Sequence, residues 1–269
     1  MRSSIRILAL MVVVVVLSAG AIFVAGGSWF RENVPTPRAP RLPDLVTLPL
    51  FDFLVASDEQ GNEALRFSTT IANIGDGPLL IRARRAFGWN DQWNVVQWFE
   101  EPDGQETGRL TGANMVFGGH GHQHWHIKFG AAYRLLSEDG RQLATQTKAG
   151  YCFFDQVAQV PDLPGAPAES VYPNDLCGKD GATSVEMGMS VGWSDPYFWQ
   201  LEDQHVVISG FADGRYRLTA DADPDGWLAE TDETNNGTWA IIELGTQADG
   251  LRTVELIESD EAPAPGTAP

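Results

Sequence analysis

Four of the five histidines in this chain fall within seven residues, His120-Gly-His-Gln-His-Trp-His126. In an extended strand, residues two apart point to the same face and lie about 7 Å from one another. A strand therefore turns His122, His124 and His126 into a row of three imidazoles. Gln123 and Trp125 then face the other way, where Trp125 can enter a core. Neutral imidazole suits Cu(II), Zn(II), Ni(II) and Fe(II), with copper favoured by intrinsic affinity, and three ligands leave a position open for chemistry. The histidines alone do not choose copper over zinc. His120 continues the parity of the triplet, but Gly121 permits a bend there, and His205 stands apart and reads as structural.

The rest of the chain supports a β reading of that segment. Leu65 to Ile71 alternates as a strand should, Asn73 to Gly77 supplies a turn, and a second strand opens at Leu79. Further strands are expected at His124 to Phe129, Ala132 to Leu136, His205 to Ile208, Tyr216 to Ala220, Thr238 to Leu244 and Leu251 to Ile257. No amphipathic helix of ten or more residues is evident. With 43% hydrophobic residues, nine Trp and thirteen Phe, the chain can fill a core of ordinary size. Together these features predict an all-β, immunoglobulin-like antiparallel β-sandwich with long loops and little helix, in one domain over residues 43–258.

Before that domain, Arg2 and Arg6 precede an uncharged apolar run from Ile7 to Ala25. This predicts one N-terminal hydrophobic helix in residues 1–27, either an uncleaved membrane anchor or a signal peptide cut after small residues near Ala25. Residues 28–42 read as a Pro-containing spacer and residues 259–269 as a disordered acidic, Pro-rich tail. The expected location is extracytoplasmic, tethered to the plasma membrane or secreted. An oxidising exterior makes Cys152 and Cys177 a disulfide pair that ties off the Pro-rich excursion from Val160 to Cys177. The formal charge of -18 argues against nucleic acid as a partner and favours cationic amines or lysine-rich proteins.

His122-Gln-His-Trp-His126, followed by Phe129 and Tyr133-Arg-Leu-Leu136, resembles the copper-binding segment of the lysyl oxidases. Pro43-Asp-Leu-Val46, Leu65-Arg-Phe67 with Asn73-x-Gly75, Lys148-x-x-x-Cys152 and Glu230-Thr-Asp-Glu-Thr-Asn-Asn236 are similar to further segments of that family in the same order. The resemblance covers nearly all of residues 43–244. It implies copper on His122, His124 and His126, and a self-derived lysine tyrosylquinone made from Lys148 and from Tyr197 of Gly192-Trp-Ser-Asp-Pro-Tyr197. It also implies oxidative deamination of primary amines by dioxygen, with Asp195 as one candidate general base. Glu230, Asp232, Asn235 and Asn236 gather hard oxygen donors in a turn, which suits calcium. The resemblance adds Asp44 and the Leu45 carbonyl to that ion, clamping the first strand to the last part of the fold.

The sequence departs from the animal members in lacking most of their other disulfides and at two positions near the histidines. Gly121 stands where they have a cysteine before the first ligand, and Ala132 where they tend to have a histidine. An adhesion-type, non-catalytic copper- and calcium-binding sandwich would account for Pro-Asp-Leu-Val and the acidic turn, and a copper storage or delivery protein for the histidines. Neither needs Lys148 and Tyr197.

Overall fold

The computed structural model describes residues 39–86, 92–118 and 123–262. The strands in chain order are β1 (Leu45–Thr47), β2 (Phe51–Ser57), β3 (Glu63–Asn73), β4 (Leu79–Arg85), β5 (Trp93–Glu100), β6 (Glu106–Leu110), β7 (Met115–Phe117) and β8 (Trp125–Ser137). They continue with β9 (Gln142–Tyr151), β10 (Val157–Ala158), β11 (Ser184–Met189), β12 (Trp193–Tyr197), β13 (His205–Val207), β14 (Gly214–Ala222), β15 (Gly237–Thr246) and β16 (Arg252–Ser259). All their pairings are antiparallel. One 3-10 turn, Asn174–Cys177, is the sole helical element among the described residues. Over the described residues the expectation of an antiparallel all-β fold with little helix therefore holds.

The strands group into three sheets, where an immunoglobulin-like sandwich has two. The first runs β1-β3-β12-β10, with β2 and β13 also paired to β3; the second runs β11-β4-β5-β6. The third runs β16-β15-β14-β8-β7, with β9 on the other side of β8. β5 illustrates how composition selects a strand: Trp93, Val95, Gln97 and Phe99 are buried, while the residues between them are more open. A shared core of Leu45, Phe67, Ile81, Tyr133, Met187 and Ile242 joins the sheets.

Two differences from the sequence reading bear on the site. The runs predicted at His124 to Phe129 and Ala132 to Leu136 are one strand, β8, because Gly130 belongs to a β-bulge and not to a turn. A Cβ at Gly130 would stand 2.9 Å from the Cβ of Tyr151, so the close approach of β9 requires glycine there. Strands β9 and β12 went unread. β9 is poor in apolar residues and is held by its pairing with β8, while Pro196 disguises β12.

Cys152 and Cys177 form the expected disulfide, with Cα atoms 6.0 Å apart. The excursion it closes is also tied by Asp155, whose carboxylate accepts hydrogen bonds from the N–H groups of Val171, Tyr172 and Ser190 and from the Ser190 hydroxyl. The apolar run from Ile7 to Ala25, most of the spacer and the end of the tail lie outside the described residues. Among the described residues no helix is long and apolar enough to cross a membrane.

Candidate functional site

β8 places His126, and His124 stands in the bend just before that strand. Its first part lies between β7 and β9, with Val116 paired to His126 and Ile127 to Tyr151. The rings of His124 and His126 stand side by side, centroids 4.6 Å apart, and His126 is buried. Two imidazoles side by side in this way are a donor pair suited to copper or zinc. His122, the third expected ligand, and His120 lie outside the described residues. Trp125 occupies the core as expected, edge-on to Phe117 at 5.3 Å and tilted against Trp93 at 4.6 Å, with its indole N–H donating to the Lys179 carbonyl. His205 belongs to a different cluster, opposite Arg66 on β3 and 3.9 Å from Asp58. Burial, followed by the Arg66 charge, pushes its pKa down, which keeps it a neutral structural residue.

Gly150 is what lets β9 pass so close to His126. A Cβ there would lie 2.4 Å from the His126 Cβ and 3.1 Å from Val116 Cγ1. No glycine at this position stood out in the sequence, because the reason for it is a contact across strands.

Tyr197 approaches from β12. Its phenol oxygen accepts a hydrogen bond from the Cys152 N–H at 3.0 Å and donates to the carbonyl of the same residue at 3.3 Å. Cys152 follows directly on the Ile127/Tyr151 pair, so the phenol reaches the strand end beside His126. The disulfide fixes that peptide in turn. The Tyr197 ring packs on Tyr151 at 4.1 Å, and the Tyr151 hydroxyl is 3.1 Å from that of Tyr133. Tyr133 donates to Gln204, whose amide donates to Thr69. Burial, and then the charge of Asp195, pushes the Tyr197 phenol well above its ordinary pKa, so the proton stays on oxygen. Asp195 is fully buried two residues earlier on the same face of β12. This network of buried phenols was not foreseen; its members are far apart in sequence and carry no spacing signal.

Lys148 lies on β9, its backbone paired with Ala131. It stands four residues before Cys152, and four residues of extended chain measure roughly 13 Å. The structure thus brings His126 and the Tyr197 phenol to one end of β9, with the Lys148 backbone further along the same strand.

Direct hydrogen bonds join the first strand to the acidic turn, where the resemblance implied a calcium ion. Glu230 accepts from the Leu45 N–H at 2.6 Å and from the Asn236 amide at 2.7 Å, and the Asn235 amide donates to Asp44 at 2.8 Å. Asp232 instead caps its own turn by accepting from the Thr234 N–H and hydroxyl. The carboxylates that do converge are Asp223, Glu230 and Glu233, with ligand atoms within 4.8 Å of one another. Asp223 and Glu233 were not singled out in the sequence, although Asp223 lies in the acidic loop that follows Asp221. Burial is the main cause that raises Asp223 to about 6 and Glu230 to about 8.

Both groups hold protons more tightly folded than unfolded, so without a bound cation they reduce stability as pH rises. The loss begins near the ordinary carboxylate range, near pH 4, and continues through about 6 for Asp223 and about 8 for Glu230. In chelator, Tm is expected to fall by several degrees between pH 5 and 8, and calcium chloride at pH 8 should restore it. A Tm that is flat with pH and indifferent to calcium would count against a cation at this turn.

Residues 115–249, half of the chain, match the model of the lysyl oxidase family. This chain belongs to the lysyl oxidase family. The matched span includes His124, His126, Lys148, Tyr197 and the acidic turn. Lysyl oxidase homolog 2 of Xenopus tropicalis is 30% identical over 132 residues, which cover 49% of this chain and 15% of that protein. Lysyl oxidase homolog 3 of Homo sapiens is 31% identical over 117 residues, 44% of this chain and 14% of that protein. The chain thus matches about one seventh of the length of these curated relatives. Membership of the lysyl oxidase family supports an amine oxidase type of function.

Proposed function

We propose that this chain oxidatively deaminates primary amines, either peptidyl lysine or small amines, with copper on His122, His124 and His126 and a quinone made from Lys148 and Tyr197. The observation that carries the reading is the Tyr197 phenol held against the Cys152 peptide, at the same end of β9 as His126. Lys148 and Tyr197 would hold the quinone, which would supply a two-electron acceptor, so that a primary amine, dioxygen and water would give an aldehyde, ammonia and hydrogen peroxide.

The chain's own residues prepare that chemistry. Burial of Tyr197 and Tyr151 keeps bulk water from the phenol. Burial, and then the charge of Asp195, keeps the Tyr197 phenol protonated, and Asp195 is a candidate for moving a proton beside the ring. A formal charge of -18 raises the local concentration of cationic amines. Calcium at the acidic turn would tie β1 to the loop after β14 through Glu230. The apolar run from Ile7 to Ala25 suggests that the domain works outside the cytoplasm, anchored or secreted.

Peptide mass spectrometry after copper loading in air tests this directly. Lys148 and Tyr197 should appear in one cross-linked peptide, and Lys148→Ala should end peroxide release from amines while copper binding persists. Two unlinked peptides after full loading would leave a non-catalytic copper- and calcium-binding module as the better reading.

A further inference from the structure

Three buried phenols, those of Tyr133, Tyr151 and Tyr197, meet near the end of β9, and a quinone needs only one of them. Burial is the main cause that raises the pKa of each, so burial does not tell them apart. Their hydrogen bonds do. The Tyr133 hydroxyl donates to Gln204 Oε1 at 2.9 Å, and Gln204 Nε2 donates to Thr69 Oγ1 at 3.1 Å. A hydroxyl has a single hydrogen. With that of Tyr133 on Gln204, Tyr151 is the donor in the 3.1 Å contact between the two phenols. Thr69 is then the donor in its 3.4 Å contact with Tyr151. The bonds run head to tail from Tyr133 to Gln204, to Thr69, to Tyr151 and back, and Gln204 and Thr69 are as buried as the phenols.

This ring of hydrogen bonds contains no base. Its acceptors are two phenols, an aliphatic hydroxyl and a carboxamide, none of which takes up a proton near neutral pH. Asp203 acts on Tyr133 less than burial and the ring's own bonds do, and its carboxylate accepts from the Gln146 amide. Tyr197 stands outside the ring. Its oxygen meets the Cys152 peptide, and after burial the strongest influence on it is the charge of Asp195, a buried carboxyl two residues earlier on the same face of β12.

We propose that Gln204 and Thr69 are specificity-determining residues for the quinone: the hydrogen-bond ring they close withholds Tyr133 and Tyr151 from oxidation and leaves Tyr197, beside Asp195, as the phenol that reacts. The inference rests on the quinone reading above and adds how one tyrosine of three is selected. In the step concerned, one dioxygen oxidises a phenol to an ortho-quinone by four electrons. One oxygen atom joins the aromatic ring, and the other leaves as water with the phenolic hydrogen and one ring hydrogen. The phenolic proton must therefore pass to an acceptor on the way. Asp195 is such an acceptor for Tyr197, and the hydrogen-bond ring offers none to the other two.

The test loads the full chain with copper in air and maps oxidised tyrosines by peptide mass spectrometry. In the parent, Tyr197 should be modified, alone or cross-linked, and Tyr133 and Tyr151 should not. Gln204→Glu places a carboxyl in the ring and should spread oxidation to Tyr133 or Tyr151, at about a tenth or more of the Tyr197 yield, increasingly as pH rises and the buried carboxyl loses its proton. Gln204→Met is neutral and of similar length, and should leave oxidation confined to Tyr197. Oxidation confined to Tyr197 in a folded Gln204→Glu chain overturns the proposal, and so does equal spreading in Gln204→Met, which would make packing the selector. Since a buried charge can unfold the first variant, Asp195→Asn provides a second arm. There Tyr197 should oxidise about 100-fold more slowly while Tyr133 and Tyr151 stay unmodified. An unchanged rate at Tyr197, or transfer of the modification to either of the others, overturns the proposal. A parent with no oxidised tyrosine overturns the quinone reading and this inference with it, whereas a parent oxidised at Tyr197 and also at Tyr133 or Tyr151 sinks the selection alone.

Discussion

Tyr197→Phe is expected to release no peroxide from any amine and to yield no cross-linked Lys148 peptide, while copper affinity stays within about twofold of the parent. The phenyl ring fills the same space against Tyr151, so little packing is lost. What disappears is the oxygen that satisfies both the N–H and the carbonyl of Cys152 in a buried setting. Leaving such groups unpaired costs about 1 to 3 kcal/mol, which a folded domain of this size should survive. The paired control is Tyr151→Phe. Tyr151 lies only three residues from Lys148 and stacks directly on Tyr197, which makes it the alternative partner for a cross-link. If Tyr151→Phe abolished the cross-linked peptide and Tyr197→Phe retained it, the assignment of the quinone tyrosine would be wrong.

That control matters because the sequence could name Tyr197 only through a family segment. What was legible unaided was local and periodic. Trp125 enters the core because strand geometry sends it to the face opposite His126, while His124, in the bend just before β8 and not in the expected strand, sets its ring beside that of His126. The alternating strand β15 was likewise readable, and so was β3, although both of its faces are buried. Contacts between distant segments were not. The phenols of Tyr133, Tyr151 and Tyr197 meet because β8, β9 and β12 converge. No periodicity within any one strand records this.

The acidic turn shows the same division. Glu230, Asn235 and Asn236 were recognisable as a cluster of oxygen donors, and they do bind Leu45 and Asp44 across the fold. Asp232 looked equivalent to them in sequence. Its short side chain instead takes the local option of capping Thr234, as aspartates in turns do. Its place in the converging trio is filled by Asp223 and Glu233. Asp223 arrives from the end of β14, so its contribution depends on where that strand stops.

Gly150→Ala should weaken copper binding by about 10- to 100-fold, through displacement of a ligand and not through loss of one. The added methyl would stand 2.4 Å from the His126 Cβ, 2.9 Å from its Cγ and 3.1 Å from Val116 Cγ1. Ordinary contacts between carbons are about 3.5 to 4.0 Å. The nearest of these atoms is tied directly to the β8 backbone, so no rotamer change relieves the clash and the strands must part. Overpacking of this kind costs about 1 to 3 kcal/mol, and the movement falls on the ring that must meet the metal. Gly245→Ala is the matched comparison. There a methyl would approach only Thr253 Oγ1, at 3.2 Å, on the edge pair of β15 and β16. It should leave copper affinity unchanged. Copper titrations on the two variants separate general strand damage from damage at His126, because only the first variant should lose affinity beyond its loss of stability. Unchanged copper affinity in a folded Gly150→Ala protein would show that His126 is not a ligand, and the metal site built on β8 would have to be abandoned.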